Sequence, residues 1–269
     1  MATKREVLHN IAKCEKKGTY NAHVDPFHPD SYPVTVDFPY VVTTKRLKLK
    51  YTLTNIFMGW PLVISDCIFN QHLKIYGKEN IKKCKSAILT CNHVYMFDSL
   101  AVHYAFRGHK TYEIGAEFNN LKGKLGKIMR AGGMLPISMN LKVLRKFDKA
   151  VTYHMKHNSF MLFFPEQGMW YNYEKPRPFK NGAFHYAAKN NVPILPLYIT
   201  FRDSGKFDKE GLPIKYSNLN ILEPIYPQSA LSVAENTEYL RKANFELVKN
   251  FYESYYHKKY ELKNYTGEF

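Results

Sequence analysis

The sequence predicts an α/β protein: a mostly parallel central sheet flanked by helices, with an N-terminal membrane-associated helical segment ahead of it. Three observations predict this. Strand-length apolar runs alternate with amphipathic helical stretches from about residue 81 onward. Residues 1–45 carry no long periodic pattern and are interrupted by Pro26, Pro29, Pro33 and Pro39, which prevents a long helix there. Between them, Lys45, Arg46, Lys48 and Lys50 precede an apolar block at 56–64 that contains Trp60. The expected organisation is an irregular N-terminal extension (1–45), a helical, membrane-interfacial segment (46–80) and an α/β domain (81–269).

The elements follow in order. A helix over 46–77 is expected to kink around Gly59 and Pro61. Strands are expected at 86–91, 112–118, 134–137, 160–164, 194–201 and 219–225. Helices are expected at 98–106, 122–130, 141–157, 179–189 and 234–258, the last of them solvated. The apolar block of the N-terminal helix is broken by Asp66 and falls short of the ~20 residues a spanning helix needs, so it reads as interfacial.

Composition narrows the partners. The chain has 269 residues, 39 Lys and Arg against 23 Asp and Glu, and a net charge of +16. A 45% hydrophobic content excludes a disordered tail, and a mean hydropathy of −0.41 excludes a polytopic membrane protein. The charge points to an anionic partner. No nucleic-acid motif is present and the basic residues are spread along the chain, so nucleic acid is not expected; an acidic membrane surface is. The cysteines Cys14, Cys67, Cys84 and Cys91 form no CxxC pair, and the first residues have no apolar core typical of a secretory signal. A reduced compartment follows, with the chain on the cytoplasmic face of the membrane, peripheral or monotopic.

In parallel sheets, sites gather at the carboxyl ends of strands. Two places qualify. After strand 86–91 comes CNHVYMFDS. His93 and Asp98 are five residues apart, which on a helix leaves them about 140° apart. They meet only if His93 lies on the strand-to-helix turn and Asp98, with Ser99, near the helix start. A carboxylate on one ring nitrogen would free the other to take a proton from a hydroxyl. No serine or cysteine nucleophile stands at a recognisable elbow, so the hydroxyl would be the substrate's. A structural His bonded to a helix cap is the alternative, and a metal site with His103 is not expected. The second place, FFPEQG, follows strand 160–164. Glu166 there could bind a substrate hydroxyl or cap turn amides, and Gly168 permits a tight turn. Lys180 and Gly182 then open a helix where an anion could approach, or simply face solvent.

In this order the segments resemble the glycerolipid acyltransferase family, the group containing 1-acyl-glycerol-3-phosphate acyltransferase. Asn92, His93 and Asp98 complete its NHxxxxD motif. Phe164-Pro165-Glu166-Gln167-Gly168 resembles FPEG, with Gln167 where the family usually has glycine. Phe179-Lys180-Asn181-Gly182 resembles FKxG, and Val192-Pro193-Ile194-Leu195-Pro196 resembles VPxxP. The resemblance covers about residues 85–200.

It implies His93 as general base and Asp98 as its partner, with a thioester as acyl donor, either acyl-CoA or acyl carrier protein, and no other cofactor. It further implies that Asn92, Glu166, Gly168, Lys180, Arg130 and Lys142 serve a lysolipid acceptor, most simply 1-acylglycerol 3-phosphate. Three departures concern the acceptor's phosphate. Ser138 stands where the second motif usually has Arg. Gly168 and Met169 stand where the third continues with Thr and Arg, and Ala116 precedes Glu117 where Lys is common. Either other cations (Lys124, Arg130, Lys142, Arg177, Lys180) replace them, or the acceptor carries no phosphate there.

Overall fold

The computed structural model describes residues 3–25 and 29–267. Seven strands form one sheet in the order β1-β7-β6-β2-β5-β3-β4. In chain order they are β1 (Lys74–Tyr76), β2 (Ala87–Thr90), β3 (Lys110–Ala116), β4 (Met134–Ile137), β5 (Ser159–Phe163), β6 (Ile194–Phe207) and β7 (Pro213–Ile221). Strands β2 to β6 pair in parallel, β6 and β7 pair antiparallel, and β1 joins β7 in parallel. The fold is therefore the expected α/β sheet with helices on both faces.

The centre of the sheet is covered on both sides, which is why its strands read as continuous apolar runs. Alternation sorts each strand between the two cores. Ile88, Met161, Phe163, Ile194 and Tyr198 face one core. Leu89, Phe160, Leu162, Leu195 and Ile199 face the other. The first is closed by α6 (Leu141–Lys156), α7 (Gly182–Asn190) and α8 (Val233–Tyr256), the second by α4 (Asp98–Ala105). Fully burying one such side chain contributes about 1.5–3 kcal/mol.

Four expectations need correction. Residues 1–45 are not irregular throughout, because α1 spans Lys4–Lys17. Thr3 and Glu6 cap it reciprocally and Gly18 ends it in the left-handed conformation, while Val7 and Ile11 alone are buried, too sparse a stripe to show among its charges. Where the N-terminal helix is expected to kink, around Gly59 and Pro61, it carries a wide turn over Asn55–Gly59. It runs from Lys45 to Asn70, 26 residues, as α2 (Lys45–Thr54) and α3 (Trp60–Ser65) with a wide turn after each. In those turns Trp60 bonds back to Asn55 and Gln71 to Asp66, a five-residue spacing that absorbs the proline's missing donor. The segment 46–80 also contributes β1, so it is not helical to its end.

The last strand expected at 219–225 is instead β7, and β6 continues to Phe207, making a hairpin. Its outer half is polar and exposed, so it carries no buried-strand signature. Finally, α8 is not a solvated helix. Tyr252 is buried, the Phe201 amide donates to the Tyr256 hydroxyl, and Tyr255 donates to the Phe201 carbonyl.

Candidate active site

The site begins where β2 ends. Asn92 is buried, and its side chain donates to the Ile199 carbonyl (3.0 Å) and accepts from the Ile199 amide (2.7 Å). It extends the β2–β6 ladder by one side-chain rung while the backbone turns away. Buried in this rung, Asn92 fixes where His93 starts.

From the first residue of α4, Asp98 reaches back into that turn. Its Oδ2 accepts from His93 Nδ1 (2.9 Å), the Val94 amide (2.6 Å) and the Tyr95 amide (2.9 Å). The carboxylate thus caps the turn before the helix, where the sequence suggested the helix itself. Asp98 is 1% exposed and its Oδ1 has no partner. Burial pushes its carboxyl up, against the hydrogen bond and charge of His93 and the two amides. The His93 side chain keeps 22% of its surface open and lies flat on Phe164, with centroids 4.2 Å apart. With Nδ1–H donated to Asp98, Nε2 is left as an acceptor on a ring that is partly open to solvent.

The turn after β5 is built differently. Glu166 is 1% exposed and both its oxygens are taken. Oε1 accepts from the Arg177 amide (2.9 Å), and Oε2 from Arg177 Nη2 (2.8 Å), Arg177 Nε (3.1 Å) and the His93 amide (3.3 Å). Arg177 also donates to the carbonyls of Gly168 and Tyr20 and lies 4.7 Å from the Trp170 ring. Trp170 donates from its backbone to the His93 carbonyl (2.9 Å) and from its indole to the Ala22 carbonyl (2.9 Å). Glu166 is thus the centre of a buried brace behind His93, shut away from solvent. The left-handed residue in this turn is Gln167, at φ +65°. Gly168 serves close approach, since a Cβ there would meet the Ala22 carbonyl at 3.0 Å.

The expected phosphate-binding residues do not converge on His93. Arg130 donates to Asn120 (2.9 Å) and the Leu121 carbonyl (2.8 Å). Lys142 is exposed in the first turn of α6, and Lys124 is exposed too. Lys180 is exposed beside the turn after β5, its amide bonded to the Pro165 carbonyl. Ser138 is buried and donates to Glu117 (2.9 Å), so no cation replaces the expected arginine there. Arg177, in the brace, is fully buried.

One group near the dyad was not singled out, and a second, His103, was weighed only as a metal ligand. Glu113 on β3 stands opposite Leu162, on the face that carries α4, and hydrogen-bonds to Ser99 beside Asp98. Burial raises its carboxyl. The signal was available: Glu113 is the one carboxylate in the strand Lys110–Ala116. His103, one turn after Ser99, is held down to about 4 by burial. Among the described residues no group of three or more His, Cys, Asp or Glu is placed to hold a metal ion.

The site thus offers an oriented imidazole, open on one nitrogen, at the carboxyl edge of a parallel sheet. That defines a domain able to take a proton from a bound hydroxyl. Residues 72–200 match the profile of the family described as Acyltransferase. An uncharacterised acyltransferase of Schizosaccharomyces pombe is 31% identical over 154 residues, which is 56% of this chain and 53% of that one. The chain thus matches about half the length of this curated relative. The 1-acyl-sn-glycerophosphate acyltransferase PlsC of Thermotoga maritima has a similar fold, with a TM-score of 0.53 over 84% of this chain and 89% of its own, at 18% identity. Residues 72–200 are thus similar in sequence to the Acyltransferase family, and the chain shares its fold with that solved structure.

Proposed function

We propose that the protein moves a fatty acyl group from an acyl thioester to the free hydroxyl of a lysophospholipid, with 1-acylglycerol 3-phosphate the first candidate. The observation that carries this is the His93–Asp98 pair with His93 Nε2 open. His93 takes the hydroxyl proton as that oxygen attacks the thioester carbonyl. The tetrahedral intermediate then collapses, the carbon–sulfur bond breaks, and the imidazolium returns the proton to the departing thiolate. Asp98 holds the ring and supports its charge at each step. A thioester is already activated, so a base and positioning suffice.

Ser138 favours a second reading, an acceptor without a phosphate at that point, because its site offers a hydroxyl bonded to Glu117 where a cation was expected. Incubating the purified protein with lysophosphatidic acid and with lyso-aminolipids, each with acyl-CoA or acyl carrier protein, separates the two. Product from lysophosphatidic acid supports the first reading. Product only from phosphate-free acceptors replaces it with the second.

The lipid would be met at the helix Lys45–Asn70. Contrary to the expectation that its apolar block is too short, it is long and apolar enough to cross a membrane, yet only 22% of its most apolar window is buried. Phe57 and Phe69 are 72% and 71% exposed. One side is tied to the domain, by Asn55 to the Ala131 carbonyl (2.7 Å) and by the Tyr95 hydroxyl to Asp66 (3.2 Å). A helix held along its length against an α/β domain suits the bilayer interface better than a span. Lys45, Arg46, Lys48 and Lys50 would add about 1 kcal/mol each beside anionic lipid. We place the protein on the cytoplasmic face in this way.

A further inference from the structure

The inner end of β6 lies beside β2, with Thr90 opposite Pro196. Past Ile199 the strand runs on alone with β7, beyond the carboxyl edge of the sheet. Between this hairpin, the end of the long helix and the loop at 171–172 lies a cleft of about 510 Å³. Tyr95 lines it. The same residue donates its amide to Asp98 and its hydroxyl to Asp66, so the cleft wall and the dyad turn are one piece of chain.

We propose that this cleft holds the phosphorylated nucleotide end of a coenzyme A thioester; the proposal rests on the acyl-transfer reading above. Charge comes first. Lys4, Lys206 and Lys215 line the cleft. Lys4 is paired with Asp208 (2.7 Å) and Lys215 with Glu174 (2.7 Å), while Lys206 is exposed and has no ion-pair partner among the described residues. Phosphates entering the cleft meet an uncommitted cation and two more whose carboxylates they can compete with. The second observation is Gln71. It lines the cleft, is 4% exposed and donates to Asp66 (2.7 Å), yet its Oε1 has no partner. A buried acceptor left unpaired is costly, and an N–H donor from a ligand would satisfy it. Adenine and the pantetheine amides carry such donors. Third, the rings of His72 and Tyr216 lie side by side on the cleft, centroids 4.1 Å apart and planes tilted by 37°, giving an aromatic wall against which a base can pack.

Reach separates this ligand from the acceptor's headgroup. In a lysophosphatidic acid the phosphate is only a few bonds from the hydroxyl that reacts, so it must sit beside His93. Neither His93 nor Asp98 lines the cleft. A coenzyme A thioester carries its phosphates at the far end of the pantetheine arm, which can run past Tyr95 to the dyad. A carrier protein presents that arm without the adenosine, and would leave the aromatic wall unused.

Isothermal titration of the full-length protein with adenosine 3′,5′-bisphosphate tests this without any turnover. The bisphosphate is expected to bind, to compete with acyl-CoA, and to bind about tenfold more weakly to Lys206→Glu and more weakly also to Gln71→Leu. Glycerol 3-phosphate, titrated in parallel, is expected not to displace it. Absence of bisphosphate binding in a protein that uses acyl-CoA overturns the proposal. So does displacement by glycerol 3-phosphate, or equal binding by wild type and Lys206→Glu. Lys206-dependent binding in a protein that acylates no lysolipid keeps the cleft and removes the acceptor reading instead.

Discussion

Two carboxylates follow two neighbouring strands, and both touch His93, but they are used differently. Asp98 leaves one oxygen unpartnered and spends the other on a ring that faces solvent. Glu166 has both oxygens filled, two of its bonds coming from a fully buried guanidinium. The first arrangement can respond when the imidazole gains a proton; the second has nothing to give without breaking. Motif residues at one strand edge thus divide into groups that move protons and groups that hold the first kind still.

Breaking the brace should cost the most. Arg177→Met leaves Glu166 buried without its cation, and chemical denaturation should show a loss of about 3–5 kcal/mol. The folded remainder should lose less turnover than Asp98→Asn does, because its effect on His93 is only through positioning. Full stability with lost turnover would instead put Arg177 at the substrate and erase the distinction between the two turns.

Asp98→Asn should do the reverse. Turnover should fall on the order of 10²-fold, from a ring no longer held in the right tautomer, with most of the stability retained. Steady-state kinetics beside a thermal melt reads both. A collapse of stability with unchanged turnover in the folded fraction would make Asp98 another brace.

The helix that carries Asp98 gives a smaller, pH-dependent effect. His103 is held near 4 from an ordinary 6.5 because burial disfavours its charged form. The folded state then binds fewer protons than the unfolded chain between those values, so stability is present above pH 6.5 and lost as pH falls toward 4. The loss attributable to this group is at most about 3 kcal/mol. His103→Gln should flatten that part of the profile relative to wild type, and equal slopes would reject the assignment.

The smallest effect is Gln167→Gly. It removes a left-handed strain of about 1–2 kcal/mol but adds about 0.5–1 kcal/mol of unfolded-state freedom. A net gain between about 0 and 1.5 kcal/mol is expected from a denaturant titration.

The same comparison explains what was legible in the sequence. His93 and Asp98 could be paired because both lie within one short turn and five residues on a helix would have separated them. The brace could not be read, since Arg177 lies eleven residues beyond Glu166 and the chain path between them is set by tertiary contacts. It stood in the sequence only as one more cation. Tyr20 and Ala22, whose carbonyls complete it, lie in the stretch expected to be irregular. Strands β2 and β5 were visible because both faces are buried, whereas the outer β6–β7 hairpin has no such run. The wide turns that carry the long helix past Pro61 leave no residue pattern of their own.

The central claim is that His93 removes the acceptor proton during acyl transfer. The direct measurement is the single-turnover rate of product formation from an acyl thioester and an accepted lysolipid, for wild type and His93→Ala at equal folded concentration. The account predicts a fall of about 10²–10⁴-fold with an unchanged melting curve. A variant that forms product within a few-fold of wild type would contradict it.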